Sequence, residues 1–190
     1  MRGRNSPASQ LYESITMNRI LLFTDISTNP KLKIGFGAYL VIPESDLNEN
    51  SSDIVKEEAK VRKFESTSST KLEIETLLWA LEELEKYPKE IALYCNLTIY
   101  TDSQCIVGLL NRRNRLEYYG FKSSRTKKEL NHAVLYQRFY SFSDRLKFEV
   151  VKLKGHSKSA EKDILHKIFS NVDKGARKAL REYLDLNKYK

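Results

Sequence analysis

Two apolar, strand-like runs of this chain each lead into an aspartate, and this pattern limits what the chain can fold into. The run LLFT precedes Asp25, and the run LTIYT precedes Asp102. An isolated buried carboxylate is costly and would normally protonate, whereas α/β folds place their functional sites at the ends of strands. We therefore expect both aspartates to lie at strand ends where the fold builds a site.

The rest of the pattern predicts a sheet with helices around it. Strands are predicted at residues 19–28, 33–42, 61–66, 96–102 and 146–154. Helices are predicted at 71–87, from about 103, at 129–145 and in the C-terminal third. Residues 43–60 are predicted to form an exposed loop, and residues 111–128 a basic, irregular segment. Three hairpin-like strands, followed by helices that alternate with strands, predict an α/β fold with a five-stranded mixed sheet flanked by helices.

Composition bounds the kind of protein and its partners. The 190 residues suffice for one domain, and we expect a flexible tail at 1–16 followed by a single domain at 17–190. The net charge of +8 and the pI of about 9.3 favour a polyanionic partner. Cys95 and Cys105 form no disulfide framework or zinc motif, so we expect free thiols in a reducing, cytoplasmic compartment. No apolar run approaches the ~18 residues of a membrane span.

Glu73 is a third acid in an apolar context, on the predicted helix 71–87. This helix carries an apolar stripe at i, i+3, i+4 and i+7 spacing, formed by Leu77, Ala80, Leu81 and Leu84. Because Glu73 lies four residues before the first of these, it continues the stripe and should point toward the sheet. Glu75 falls on another face and should point toward solvent or a flank.

Converging carboxylates are tolerated when divalent cations neutralise them. An oxygen-only set, without Cys or His ligands, suits Mg²⁺ or Mn²⁺. Each acid taken alone also has an ordinary structural role: Asp25 or Asp102 can be a turn or helix cap, and Glu73 a first-turn acid favoured by the helix dipole. The residues by themselves leave both interpretations open.

Six short segments, in this order, resemble the landmarks of type 1 ribonuclease H (RNase H). They are FTDIS at 23–27, GFGA at 35–38, LEI at 72–74 with Ala80 and Leu81, YTDSQ at 100–104, VKLKGH at 151–156, and NVD at 171–173 with Ala176. The resemblance runs from about residue 19 to 182, and each segment lies on the appropriate predicted element. It implies an RNase H-like catalytic domain at 17–190.

In that family four carboxylates form the active site, and the resemblance carries this role to Asp25, Glu73, Asp102 and Asp173. The residues alone do not single out the fourth, since it could be a surface helix residue. Asp163 is the competing position, but it lacks the small-residue pattern that follows in Asp173-Lys174-Gly175-Ala176.

The implied activity is endonucleolytic hydrolysis of the RNA strand of RNA–DNA hybrids. Two Mg²⁺ ions about 4 Å apart, for which Mn²⁺ can substitute, would clamp the scissile phosphate, activate a water and stabilise the leaving oxygen. The resemblance implies that Asp25 bridges both ions. His156, on the loop after the fifth strand, would assist product release or shuttle a proton near neutral pH.

The resemblance also implies residues that hold the hybrid. Small polar groups at helix starts suit contacts in the shallow minor groove that displays the 2′-hydroxyls; these are Ser68, Ser69, Thr70 and Gln104. Segment 112–128 resembles the family's basic protrusion and would bind phosphates of the DNA strand through Arg112, Arg113 and Arg115. Helix capping and a solvated basic face are the ordinary alternatives. Ile26 stands where the family usually has Gly.

Three other functions are compatible with parts of the sequence. A non-catalytic nucleic-acid-binding module on the same fold would be expected to lack one of the four carboxylates. An integrase or junction resolvase of the same superfamily would not be expected to carry the TDSQ and Gly-His landmarks. A protein-interaction domain that uses the acidic 43–60 segment has only charge in its favour. We expect a monomer without membrane association.

Overall fold

The structure of the protein is a computed structural model, and it describes residues 19–47, 58–86, 96–153 and 163–187. Its centre is a sheet of five strands in the order β3-β2-β1-β4-β5. The strands are β1 (Arg19–Asn29), β2 (Ile34–Pro43), β3 (Lys60–Glu65), β4 (Asn96–Thr101) and β5 (Glu149–Lys152). The first three pair antiparallel, and β4 and β5 run parallel to β1. The predicted five-stranded mixed sheet is therefore confirmed.

Five α-helices of the described ranges cover the two faces of this sheet. They are α1 (Ser69–Glu85), α2 (Gln104–Val107), α3 (Leu109–Tyr118), α4 (Ala133–Leu146) and α5 (Ile164–Leu186), and a short 3₁₀ turn spans Glu44–Asp46. None of the helices that the structure describes combines the length and apolarity that a membrane span requires.

The alternation of side chains along β1 divides the core into two layers. Leu22 faces one side, where it packs with apolar residues of α1 and α4 such as Leu77 and Phe139. Leu21 and Phe23 face the other side, where α5 covers them. Because β1 is covered on both faces, its apolar run is continuous rather than alternating. Asp25, which directly follows this run, is thereby held on a rigid strand.

Two predicted segments differ from the structure. The fifth strand is shorter than 146–154, because Leu146 ends α4 and Lys147 adopts the left-handed conformation (φ 45°) that terminates it. The segment 111–128 is not irregular throughout, since its first part belongs to α3. Leu109 and Leu116 anchor that helix in the core at i, i+7 spacing. Its excess of charge obscured this sparse apolar stripe.

Some sequence predictions concern positions outside the described residues. These are the tail at 1–16, Cys95 and His156. The predicted loop at 43–60 is described only at its two ends.

Two glycines lie where a helix packs against the sheet, and they differ in the space available for a side chain. A Cβ on Gly37 of β2 would lie 2.0 Å from Thr76 Oγ1 and 2.9 Å from Thr76 Cβ on α1, closer than real atoms approach. A Cβ on Gly175 of α5 would meet Ala59 Cβ at 3.5 Å and Val61 Cγ2 at 3.6 Å, which is ordinary contact.

We predict opposite effects of alanine at these two positions. Gly37→Ala should lower the free energy of unfolding by about 1–3 kcal/mol through overpacking. Gly175→Ala should raise it by about 0.4–1 kcal/mol, because the unfolded chain loses conformational freedom and the helix accepts the methyl group. Urea denaturation of the two variants beside the unchanged protein measures both effects. Equal stability of the two variants would contradict this packing.

Candidate active site

The parallel register of β1 and β4 brings two of the predicted acids together. Phe23 is the partner of Tyr100, and their rings stack with centroids 4.9 Å apart. Two residues further along the chain come Asp25 and Asp102, on the same sides as these rings. Asp25 lies inside β1, four residues before its end, so the expectation of a strand end holds for Asp102 and not for Asp25. Asp102 follows the last residue of β4 and is exposed, so this end of the sheet opens to solvent.

Asp25 is half-buried and crowded by negative charge. Its Oδ1 accepts a hydrogen bond from the Ile26 backbone N–H at 2.8 Å. Burial, and then the charge of Asp102, raise the pKa of Asp25 from its ordinary value of 3.8 to about 8, although the Ile26 hydrogen bond opposes them. Asp173 contributes to the same rise, through its charge and through a side-chain hydrogen bond with Asp25. Asp25, Asp102 and Asp173 thus act on one another electrostatically.

Glu73 reaches the same place from α1. Ser68 caps this helix by accepting the Lys71 N–H at 3.3 Å, and Glu73 lies in the second turn. Its Oε2 accepts a hydrogen bond from the Ser103 hydroxyl at 2.5 Å, next to Asp102. Burial raises the pKa of Glu73, the Ser103 hydrogen bond lowers it, and the charge of Asp102 raises it.

The position of Glu75 differs, as its predicted helix face indicates. Glu75 accepts a hydrogen bond from the Thr67 hydroxyl at 3.3 Å and pairs with Lys71 Nζ at 3.5 Å, on the flank of α1. Glu73 therefore joins the acidic cluster (Asp25, Glu73, Asp102 and Asp173), and Glu75 does not.

Asp173 comes from α5, and the residues alone did not identify it. Its position is nonetheless marked by the same signal as that of Glu73. Phe169, Ala176 and Leu180 are buried on α5, and Asp173 falls on their stripe, four residues after the first and three before the second. An acid within the apolar stripe of a long helix can be recognised in the sequence as a candidate site residue. Asp173 Oδ1 forms an ion pair with Arg177 Nε at 2.7 Å.

Two residues of this region were not predicted from the sequence. Ser103 is buried and connects α1 with α2. Its hydroxyl donates a hydrogen bond to Glu73 on α1, and it accepts one from the Ile106 N–H, which caps α2. Arg177 lies one turn beyond Asp173 and carries the ion pair to it. A serine and an arginine in polar sequence give no periodic signal by which to find them.

The predicted substrate contacts lie beside the cluster. Ser69 and Thr70 occupy the first turn of α1, one turn before Glu73, and Ser69 is exposed. Gln104 is exposed at the start of α2, where its Oε1 accepts a hydrogen bond from Lys152 Nζ at 2.5 Å. His156, predicted near the cluster, is outside the described residues, so its position relative to Asp102 is a prediction only.

Two of the three predicted phosphate-binding arginines are engaged within the protein. Arg112 donates from Nε to the Gly108 carbonyl at 3.0 Å and from Nη2 to the Cys105 carbonyl at 2.9 Å. Arg113 pairs with Glu117 at 2.8 Å and with Asp144. These contacts tie α3 to the backbone of α2 and of Gly108, and to α4.

Other basic residues of the segment 112–128 are exposed. Arg115 is exposed on α3. The basic loop, which we define as residues 119–131, carries further exposed bases: Lys122, Arg125, Lys127 and Lys128. It is closed by a bridge between Lys122 and Glu129 and by a hydrogen bond from Ser123 N–H to the Lys128 carbonyl at 2.8 Å. The cations of this loop are thus presented on an ordered turn.

The acidic cluster fits a hard divalent cation by its chemistry, since all its donors are carboxylate oxygens. Neighbouring carboxylates also raise the pKa of Asp25 and of Glu73. Within the described ranges, however, no three His, Cys, Asp or Glu side chains are already arranged around a common centre. Instead, an oxygen of Asp25 accepts a hydrogen bond from the Ile26 N–H and an oxygen of Glu73 accepts one from the Ser103 hydroxyl. An oxygen of Asp173 forms an ion pair with Arg177. Cation binding would require some of these oxygens to turn away from their protein donors.

Comparison with known proteins places this geometry in a family. A sequence model of the RNase H family matches residues 17–180, and no curated protein matches the chain. The fold resembles LC11-RNase H1, isolated from compost by a metagenomic approach, with a TM-score of 0.60 and 15% identity over 88% of this chain and 99% of that one.

Two further solved structures share the fold. LC9-RNase H1, a type 1 RNase H with the type 2 active-site motif, has a TM-score of 0.61 and 14% identity over 85% of this chain and 72% of its own. The foamy viral protease-reverse transcriptase in complex with an RNA/DNA hybrid has a TM-score of 0.60 and 13% identity over 94% of this chain. The match covers 21% of that viral chain. At these identities the likeness concerns the fold.

The raised pKa of Asp25 predicts a pH-dependent stability of the metal-free protein. Between pH 3.8 and about 8 the folded state keeps a proton on Asp25 that the unfolded chain has lost. Stability should therefore fall as pH rises through this window, by at most about 1.4 kcal/mol per pH unit from this group. Urea denaturation in a chelator at several pH values measures the slope.

The Asp25→Asn variant isolates this effect, because an amide does not titrate. Its stability should fall less steeply over the same window and should exceed that of the unchanged protein near pH 8. Glu75→Gln, outside the acidic cluster, is the matched control and should keep the original slope. An unaltered slope in Asp25→Asn would show that Asp25 is not the crowded group.

Proposed function

The chain belongs to the RNase H family, and we propose that it hydrolyses the RNA strand of RNA–DNA hybrids at the acidic cluster. The observation that carries the proposal is the approach of four carboxylates from separate elements: Asp25 from β1, Glu73 from α1, Asp102 after β4 and Asp173 from α5. Crowding these charges costs stability, and such a cost is common at functional sites rather than in structural cores.

We propose that these four side chains hold two divalent cations, Mg²⁺ or Mn²⁺. The chemistry that the bound cations supply is activation of a water for in-line attack and stabilisation of the leaving oxygen. The protein's part is to fix the ligands. The strand β1 holds Asp25 in a half-buried position, and the Ser103 hydroxyl orients Glu73. Because Asp102 is exposed, a phosphate backbone can approach the cluster from solvent.

Recognition of the hybrid is assigned to the polar groups around the cluster. The foamy viral relative in fold is a complex with an RNA/DNA hybrid, which supports a duplex substrate. RNA differs from DNA by its 2′-hydroxyls, displayed in the minor groove. Ser68, Ser69 and Thr70 begin the helix that carries Glu73, and Gln104 lies two residues after Asp102. We assign contacts with the RNA strand to these residues.

The phosphates of the DNA strand are assigned to the basic loop and to Arg115. Arg112 and Arg113 contribute to this surface indirectly, since their guanidinium groups stabilise α3 and its contact with α4. His156 remains our candidate for product release or proton transfer. We further propose that the protein acts as a monomer in the cytoplasm; Cys105 is a free, half-buried thiol, as suits a reducing compartment.

The first functional prediction separates catalysis from binding. Asp25→Asn and Asp102→Asn should each abolish cleavage of a labelled RNA–DNA hybrid in Mg²⁺. Hybrid affinity should survive, because it comes mainly from phosphate contacts. Glu75→Gln is the control and should cleave at close to the normal rate. Normal turnover by Asp102→Asn would refute the assignment. Duplex DNA and duplex RNA as substrates separate this activity from that of an integrase or resolvase.

The second functional prediction concerns the basic loop. Arg125→Gln with Lys128→Gln should weaken binding of all hybrid sequences alike and should lower the magnitude of the salt slope by about 0.7–0.9 per lost phosphate contact. Single-turnover cleavage at saturating enzyme should stay close to normal. The measurement is hybrid affinity over a series of salt concentrations.

The matched control removes two charges at the other end of the molecule. Lys86 follows the C-terminus of α1, and Lys147 precedes β5, so both are at the opposite end of the sheet from Asp102. Lys86→Gln with Lys147→Gln should leave the salt slope unchanged. If both double variants alter the slope equally, net charge rather than the basic loop governs binding.

A further inference from the structure

One member of the acidic cluster is already paired with a cation of the protein itself. Arg177 Nε forms an ion pair with Asp173 Oδ1 at 2.7 Å, across one turn of α5. The side chain of Asp173 is 23% exposed and that of Arg177 is 56% exposed, so the guanidinium lies on the solvent side of the carboxylate. This ion pair connects the cluster with the surface.

The protein groups that contact Asp25, Glu73 and Asp173 in this way differ in how easily they can withdraw. The Ile26 N–H belongs to the backbone of β1, and the Ser103 hydroxyl is buried and also caps α2. Both are fixed by the fold. The guanidinium group of Arg177 lies at the end of a long, half-exposed side chain, which can move into solvent without disturbing any strand or helix. Among these three partners, Arg177 is the one that a competing cation can displace.

We propose that Arg177 is the counter-ion of Asp173 in the metal-free protein and that it competes with a divalent cation for this carboxylate, thereby setting the cation affinity of the site. The inference rests on the proposed function in one respect, namely that the acidic cluster binds such cations. Arg177 is then a positioning residue that acts through Asp173.

Two physical effects give the competition its direction. The first is direct, since Asp173 Oδ1 lies 2.7 Å from Arg177 Nε and must separate from it to bind a metal ion. The second is repulsion, because a guanidinium keeps its charge at every working pH and opposes a cation bound beside it. Both effects lower cation affinity. In return, Arg177 offsets part of the mutual repulsion of the carboxylates while no cation is present.

Direct titration of metal into the full chain tests the proposal without relying on activity. Mn²⁺, and separately Mg²⁺, would be titrated by isothermal calorimetry at about 0.15 M salt, where surface charges further than about 8 Å apart are largely screened. The proteins are the unchanged chain and the variants Arg177→Gln, Arg177→Lys and Arg181→Gln. The last is the matched control: it removes the same charge one turn further along α5, from an exposed side chain.

We expect Arg177→Gln to bind the cation roughly two- to fivefold more tightly, the range that loss of a half-exposed ion pair allows. Arg177→Lys keeps the charge and should stay close to the unchanged chain, as should Arg181→Gln. The Mg²⁺ concentration that half-saturates hybrid cleavage should fall in Arg177→Gln by the same factor. Without metal, Arg177→Gln should melt at a slightly lower temperature, since Asp173 has lost its counter-ion.

The outcomes separate this inference from the proposed function. Equal or weaker cation binding by Arg177→Gln, with hybrid cleavage intact, would overturn the inference alone. Equal tightening in Arg181→Gln would also overturn it, because the effect would then be general charge rather than the Asp173 pair. A chain that neither binds the cation nor cleaves the hybrid would overturn both.

Discussion

The parallel pairing of β1 with β4 is the contact on which the candidate site depends. It sets Phe23 opposite Tyr100, and the two aspartates that follow these residues then lie side by side. Negative charges placed this close repel one another, and burial adds to the cost, as the raised pKa of Asp25 records. The two apolar layers on either side of β1 hold the strand in this register despite that cost.

The remaining elements meet this pair at one end of the sheet. The helix α1 begins at Ser69, directly after β3, so its second turn brings Glu73 to Ser103. The helix α5 crosses the other face over β1 and β2 and presents Asp173. A change in strand register would turn side chains to the opposite face, and the carboxylates would then no longer share a site. The core packing that holds the strands in register therefore also determines where the carboxylates lie.

The sequence predicted most of this arrangement because its signals are periodic. The apolar runs that lead into Asp25 and Asp102, and the helix stripe that includes Glu73, can be recognised without a structure. Asp173 carries the same kind of signal, but the polar residues around it hide the stripe of α5. The helical part of segment 111–128 was missed for a similar reason, since only Leu109 and Leu116 of α3 are buried. Contacts between residues distant in sequence, such as Arg113 with Asp144, have no local signature at all.

The arginines show why counting charges misjudges a basic segment. Arg112 and Arg113 contribute two of its positive charges, yet N–H groups of both are directed at carbonyls and carboxylates of the protein. A phosphate is bound by donors that can reach it, so a base engaged within the protein adds to the long-range field without adding a contact. The same distinction applies to Arg177, whose charge is near the acidic cluster and whose Nε forms an ion pair with Asp173. For each of these arginines, the available hydrogen-bond donors decide whether it binds a substrate, stabilises a helix or holds a carboxylate.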